Sequence, residues 1–124
     1  MKKVSAEPEW FILAKGSKRL PAEYWKSITR DCSIDSDPSH AAFVNWVLEA
    51  TGLGGTGVSS ARSLLRLKST TLRRGAIIVY QDVVGCGVGF LSSLNTARGI
   101  CCVLSYNGEK NIFTRDIVGI KWPK

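Results

Sequence analysis

The side chains best suited to chemistry in this chain are four cysteines, Cys32, Cys86, Cys101 and Cys102, and a single histidine, His40. A thiol can act as nucleophile, metal ligand or disulfide partner, and spacing decides among these uses. No CxxC pair occurs, so the usual zinc spacing is missing. Cys101 and Cys102 are adjacent. On a strand such neighbours point to opposite faces, where they can hardly pair or share a metal. Four irregularly placed cysteines in 124 residues are also too few for a disulfide scaffold. The expectation is reduced, mostly buried thiols, with no cofactor or metal, because free cysteine packs as a small hydrophobe.

Charge is the second chemical signal. The chain carries a net +7, and residues 51–100 hold Arg62, Arg66, Lys68, Arg73, Arg74 and Arg98 against Asp82 alone, a net +5. Such a surface favours anionic partners, whether nucleic acid, acidic protein or anionic cell-wall polymer. Arg62, Arg66, Arg73 and Arg74 are the candidate binding residues, the first two sharing the outer face of an expected helix. The plain alternative is a solvated face. The sequence has no nucleic-acid-binding motif and no aromatics interleaved with the basic residues, which counts against specific nucleic-acid recognition.

The elements that must position these groups read as one α+β domain spanning 1–124. Residues 1–36 form a helical or irregular lead-in with two apolar clusters, Trp10 to Leu13 and Tyr24, Trp25 and Ile28, and with Pro21 opening a short helix. Residues 37–68 hold the central helices. Asp37 is placed to cap the first, Pro38 fits its first position and Gly52 ends it. Phe43, Val44, Trp46, Val47 and Leu48 surround most of its circumference, so it should be buried on most sides. A glycine-rich loop, 52–57, then leads to a second helix through Leu67, capped by Thr56 or Ser59. Residues 75–123 read as an antiparallel sheet of about five strands, with Asn107-Gly108 as a hairpin turn. No apolar run approaches the roughly 20 residues needed to span a bilayer. The start is interrupted by Glu7, Pro8 and Glu9, unlike a signal peptide. The localisation left open is cytoplasmic, virion-associated or exported by another route.

Four segments in order, PSHAAFVNWVLEATGLGGTGVSSARSLL (38–65), RRGAIIVY (73–80), GCGVGFL (85–91) and IKWP (120–123), resemble the CHAP/NlpC-type family of small bacterial and phage cell-wall hydrolases. In the closest branch the central helix opens with Pro-Trp-Cys-Ser-Ala-Phe-Val-Asn-Trp, and a later strand carries Gly-His-Val-Gly-Phe. The resemblance implies a papain-like fold in which a thiolate at a helix N-terminus and an imidazole on a strand cleave peptidoglycan peptide bonds. Carried over position by position, it puts His40 at the place of the nucleophile, Gly87 at that of the base and Asn107 at that of the third, orienting residue. Two of these three cannot perform the family's step.

A non-catalytic derivative is therefore expected, binding peptidoglycan fragments or a partner protein. A bulky imidazole and a bare glycine have exchanged volumes, so His40 is expected to fill the space over Gly87. Equally, His40 is read as a helix-start residue that only packs, and Asn107 as a turn residue with positive backbone angles. The alternative is an active hydrolase with a relocated pair, Cys86 as nucleophile and His40 as base. Strand alternation opposes it, because Val84, Cys86, Val88 and Phe90 share one face and Gly85, Gly87 and Gly89 the other. The expected register turns the glycine face toward the first turn of the central helix. A third reading is a basic nucleic-acid or acidic-protein binder using Arg62, Arg66, Lys68, Arg73 and Arg74.

Overall fold

A computed structural model describes residues 7–17, 21–28, 39–81 and 85–123. Helices come first and strands follow. The helices are α1 (Glu9–Gly16), α2 (Pro21–Tyr24), continued by a 3-10 turn at Trp25–Ser27, and α3 (Ser39–Ala50). The strands are β1 (Lys68–Ser69), β2 (Ile77–Gln81), β3 (Cys86–Asn95), β4 (Ile100–Ser105), β5 (Gly108–Phe113) and β6 (Ile117–Trp122). They form one antiparallel sheet in the order β1-β6-β2-β3-β4-β5. The expected α+β class and antiparallel sheet are thus present, with the two-residue β1 as an added edge strand.

The second expected helix is a 3-10 helix, Ala61–Arg66, whose N-cap Ser60 makes no side-chain capping bond. With about three residues per turn, positions four apart lie roughly 120° apart around the axis. Arg62 and Arg66 therefore do not share one face as an α-helix would require.

Helix α3 ends as its glycine dictates. Gly52 adopts φ 78°, its N–H reaches Glu49 O at 3.1 Å and the Leu53 N–H reaches Leu48 O at 2.9 Å. This is a Schellman closure, available because glycine has no Cβ to clash in the left-handed region. Ala41 to Asn45, Val47 and Leu48 are buried, as the apolar circumference implies. The Asp37–Pro38 start of the helix lies outside the described residues.

One buried polar group ties α3 to the loop behind it. The Asn45 side-chain nitrogen donates to Ala41 O at 2.9 Å and Val58 O at 3.1 Å. Its oxygen accepts from the backbone N–H groups of Thr56 and Gly57. The loop approaches so closely that a Cβ on Gly55 would lie 2.1 Å from that oxygen. A fully buried carboxamide is tolerable only with its donors and acceptor satisfied in this way.

The sheet has two packed faces. Ile77, Val79, Cys86, Val88, Phe90 and Leu104 join the residues of α1 and α3 in the larger core. Ile78, Tyr80, Leu91, Cys101, Val103 and Ile112 form a second core on the other face. The sheet curls to enclose that second core. Its bend is carried by β3, which pairs with β2 through Phe90 and with β4 from Phe90 onward. A register shift between Leu91 and Ser93 leaves Ser92 as an extra residue, and such bulges increase local twist. Lys110 on β5 thereby comes within 5.4 Å of the Tyr80 ring centre, although β3 and β4 lie between their strands.

Helix α1 is anchored to the sheet by Trp10, whose indole N–H donates to Gly75 O at 2.7 Å and whose ring meets Trp122 edge-on at 4.9 Å. In the lead-in, Trp10, Phe11 and Tyr24 are buried while Ile12 is exposed. Among the described residues no helix is long and apolar enough to cross a membrane.

Replacing Asn45 tests the anchor. Asn45→Ala is expected to lower unfolding stability by about 2–4 kcal/mol, because it strands several buried backbone groups. Asn45→Asp should cost at least as much, since an oxygen would then face the carbonyls of Ala41 and Val58. Urea midpoints equal to wild type for both variants would refute this role.

Candidate functional site

His40 lies in the first turn of α3. Its Nδ1 is hydrogen-bonded to the Ser105 hydroxyl at the end of β4, and its ring is 5.3 Å from that of Tyr106. Tyr106 is in turn 6.4 Å from the buried Tyr24, which touches Phe43 at 5.1 Å and Trp46 at 5.5 Å. The imidazole thus joins the start of α3 to the β4–β5 turn at the end of an aromatic cluster.

Neither Ser105 nor Tyr106 is among the residues singled out by type and spacing in the sequence. A usable signal was present: Ser105 closes the apolar run Ile100–Leu104, and a hydroxyl at the buried end of such a strand requires a partner. Ser105 is 7% exposed.

Gly87 is not beneath His40. A Cβ built on it would lie 2.5 Å from the hydroxyl oxygen of Tyr80, its partner across β2 and β3. Tyr80 belongs to the inner core enclosed by the curled sheet. The glycine face of β3 therefore looks away from α3, and the expected packing of His40 over Gly87 is replaced by Tyr80. The helix instead packs on the face of Cys86, Val88 and Phe90, with the Phe43 and Phe90 rings 6.1 Å apart.

That orientation puts Cys86 on the same side of the sheet as α3, yet its thiol meets another group. Arg62 Nη1 is 3.9 Å from Cys86 Sγ. Ser105, with His40 on it, follows Leu104, which pairs with Phe90. Cys86 stands four residues along β3 from Phe90, roughly 13 Å of strand. The thiol has a guanidinium as its neighbour, and the imidazole has a hydroxyl.

Asn107 is exposed in the β4–β5 turn. Ser105 pairs with Gly108, so Tyr106 and Asn107 are the two turn residues. Positive φ falls on Gly108 (106°) and, among the described residues, on no non-glycine residue. The expected Asn-Gly turn with positive angles at both positions is therefore shifted by one residue, with the glycine supplying the reversal.

The candidate basic residues are dispersed. Arg74 Nε pairs with Glu7 at 2.8 Å, and Lys15 holds the other Glu7 oxygen at 2.6 Å. The Lys15 hydrogen bond, more than the neighbouring Arg74 charge, depresses the Glu7 carboxyl below its ordinary range. Arg73 lies 3.4 Å over the centre of the Trp122 ring. Both arginines precede β2, whereas Arg62 lies beside Cys86, which pairs with Gln81 at the far end of that strand. About 17 Å of strand separates them. Arg66 is exposed at the end of its 3-10 helix. The four arginines do not form one patch.

Cys101 and Cys102 both have raised thiol pKa values. Cys102 donates to Glu109 Oε1 at 3.2 Å, and the Ser92 hydroxyl donates to Oε2 at 3.0 Å. Burial first, and then this carboxylate, push the Cys102 thiol up to about 11. Burial also raises Cys101, which faces the inner core. The adjacent thiols thus belong to opposite faces, as alternation requires. Cys32 lies outside the described residues. Among the described residues no group of three His, Cys, Asp or Glu side chains is placed to hold a metal ion.

A surface groove of about 690 Å³ is lined by Glu9, Ile12, Leu13, Ala50 and Thr51. It lies at the C-terminal end of α3, roughly 15 Å along the axis from His40, and is separate from the imidazole site. Comparison with family models, curated proteins and solved structures found no match.

The Cys102 environment yields a labelling test. Glu109→Gln removes the charge that opposes thiolate formation, so the Cys102 pKa should fall and its iodoacetamide labelling at mildly alkaline pH should accelerate. Mass spectrometry of tryptic peptides would read the site, and an unchanged or slower rate at Cys102 would contradict this control by Glu109.

Proposed function

We propose that this chain is a non-catalytic derivative of a peptidoglycan amidase or endopeptidase, retaining the papain-like scaffold as a binding module for cell-wall fragments or a partner protein. The observation that carries this reading is the state of the one histidine. His40 stands at the helix position where the resembling family has its nucleophile, and its ring is bonded to Ser105. Cys86, the thiol on the adjoining strand, has Arg62 as its neighbour. Among the described residues no base stands within hydrogen-bond reach of Cys86, and cysteine hydrolysis requires one.

The scaffold positions of the resemblance support the same reading by their packing. Phe43 and Phe90 meet across the helix–sheet interface, Asn45 organises the glycine-rich loop, and Trp122 meets Trp10. These are the residues by which the motif is recognised, and they serve the fold rather than a reaction. A fold retained without its reactive pair leaves binding as the remaining use of the surface.

The test is calorimetric titration with muropeptides beside digestion of purified sacculi. Heat of binding without digestion is the expected result. Digestion abolished by Cys86→Ala would overturn the reading in favour of the relocated Cys86–His40 pair. Absence of heat would remove cell-wall fragments as the ligand.

A further inference from the structure

We infer that β5, the outer edge strand of the sheet, pairs antiparallel with β5 of a second copy of this chain across a two-fold axis, joining two sheets into one. The inference is independent of the cell-wall reading and stands or falls separately. β5 closes the strand order, and among the described residues it pairs with β4 alone. All of its residues but Ile112 are exposed.

The register fixes which backbone groups point outward. The Thr114 N–H donates to Gly99 O at 2.9 Å, just beyond the end of the β4–β5 ladder. Along an antiparallel ladder, hydrogen-bonded pairs alternate with pairs that are not bonded. Cys101–Ile112, Val103–Lys110 and Ser105–Gly108 are therefore the bonded pairs, and Glu109, Asn111 and Phe113 turn their N–H and C=O groups away from β4. Such an edge is a template for another strand. A lysine often guards an edge of this kind, but Lys110 places its ammonium 5.4 Å from the Tyr80 ring centre, toward the inner core.

The occupant is a second copy because the edge complements itself. A two-fold interface sets the same surface against itself, and one register engages all the outward residues. It places Asn111 opposite Asn111, with Glu109 of each copy opposite Phe113 of the other, and forms six backbone hydrogen bonds. The side chains agree with it. The Glu109 carboxylate is positioned by the Ser92 hydroxyl and the Cys102 thiol, and the Arg115 guanidinium lies 4.5 Å from the centre of the Phe113 ring. Each carboxylate thus meets the arginine of the other copy. Within one chain Glu109 and Phe113 are four residues apart, roughly 13 Å of strand, and among the described residues no carboxylate pairs with Arg115. The two Asn111 carboxamides, each both donor and acceptor, face one another, and Lys110 stands opposite Ile112 rather than another cation. The exposed Phe113 ring is covered.

The test is analytical ultracentrifugation of the full chain over a range of protein concentrations at physiological ionic strength. One strand pair makes a small interface, so an exchanging, concentration-dependent monomer–dimer equilibrium is expected. Glu109→Arg and Arg115→Glu each set like charges against one another at both ends of the strand pair, and each should weaken association about tenfold. The double variant restores opposite charges with the roles exchanged and should recover most of that loss, which a structural role confined to one chain would not produce. Asn111→Pro removes an outward N–H while leaving the β4 ladder its bonds, and should abolish the dimer. Arg66→Glu, the same charge change away from β5, should not weaken it. The inference is overturned by a monomer at every concentration, by a dimer that survives Asn111→Pro or is indifferent to both single reversals, by a double variant no better than the singles, or by equal loss in Arg66→Glu. Arg115 is exposed, so Arg115→Glu keeps the test decisive even where Glu109→Arg disturbs Cys102 or Asn111→Pro disturbs the strand.

Discussion

A sheet packed on both faces is the constraint from which the rest of this structure follows. In β2 every residue from Ile77 to Tyr80 is buried, so successive side chains enter two different cores. Ile77 and Val79 lie under the helices, and Ile78 and Tyr80 lie inside the curl. Alternation at this strand then sets its neighbour. Opposite Tyr80 there is room only for Gly87, and Cys86 is turned to the helix side. A register slip of one residue would exchange the two cores, which is why the pairing is so strongly specified.

The helical side depends on that arrangement in turn. Phe90 offers its ring to Phe43, which seats α3, and Asn45 then binds the loop that leads to the sheet. The aromatic cluster of Tyr24, Trp46 and Tyr106 carries the packing to the start of α3, where His40 meets Ser105. At the other end of the sheet Trp10 and Trp122 brace each other and hold Arg73. The two ends have different chemistry, one an imidazole–hydroxyl contact among aromatics and the other an arginine stacked on an indole.

These ends bear on function differently. At the first, each group with reactive potential already has a protein partner: His40 has Ser105, and Cys86 has Arg62. Cys102, elsewhere on the sheet, has Glu109. These contacts do not join Cys86 to His40. At the second end Arg73 lies over the Trp122 ring and Arg74 pairs with Glu7.

Much of the fold was legible in sequence because its signals are local. The apolar circumference of 41–48, the glycine that closes α3 and the change from helical to alternating patterns after Gly75 each depend on neighbouring residues alone. So did the assignment of Cys101 and Cys102 to opposite faces. Tertiary structure decided which face of β3 met the helix, because the pattern Cys-Gly-Val-Gly-Phe defines two faces without saying which one curls inward. It also decided that Tyr80 fills the space over Gly87, that Ser105 receives His40, and that Arg62 and Arg73 lie at opposite ends of a strand. Those outcomes depend on packing between residues far apart in the chain, which no local spacing encodes.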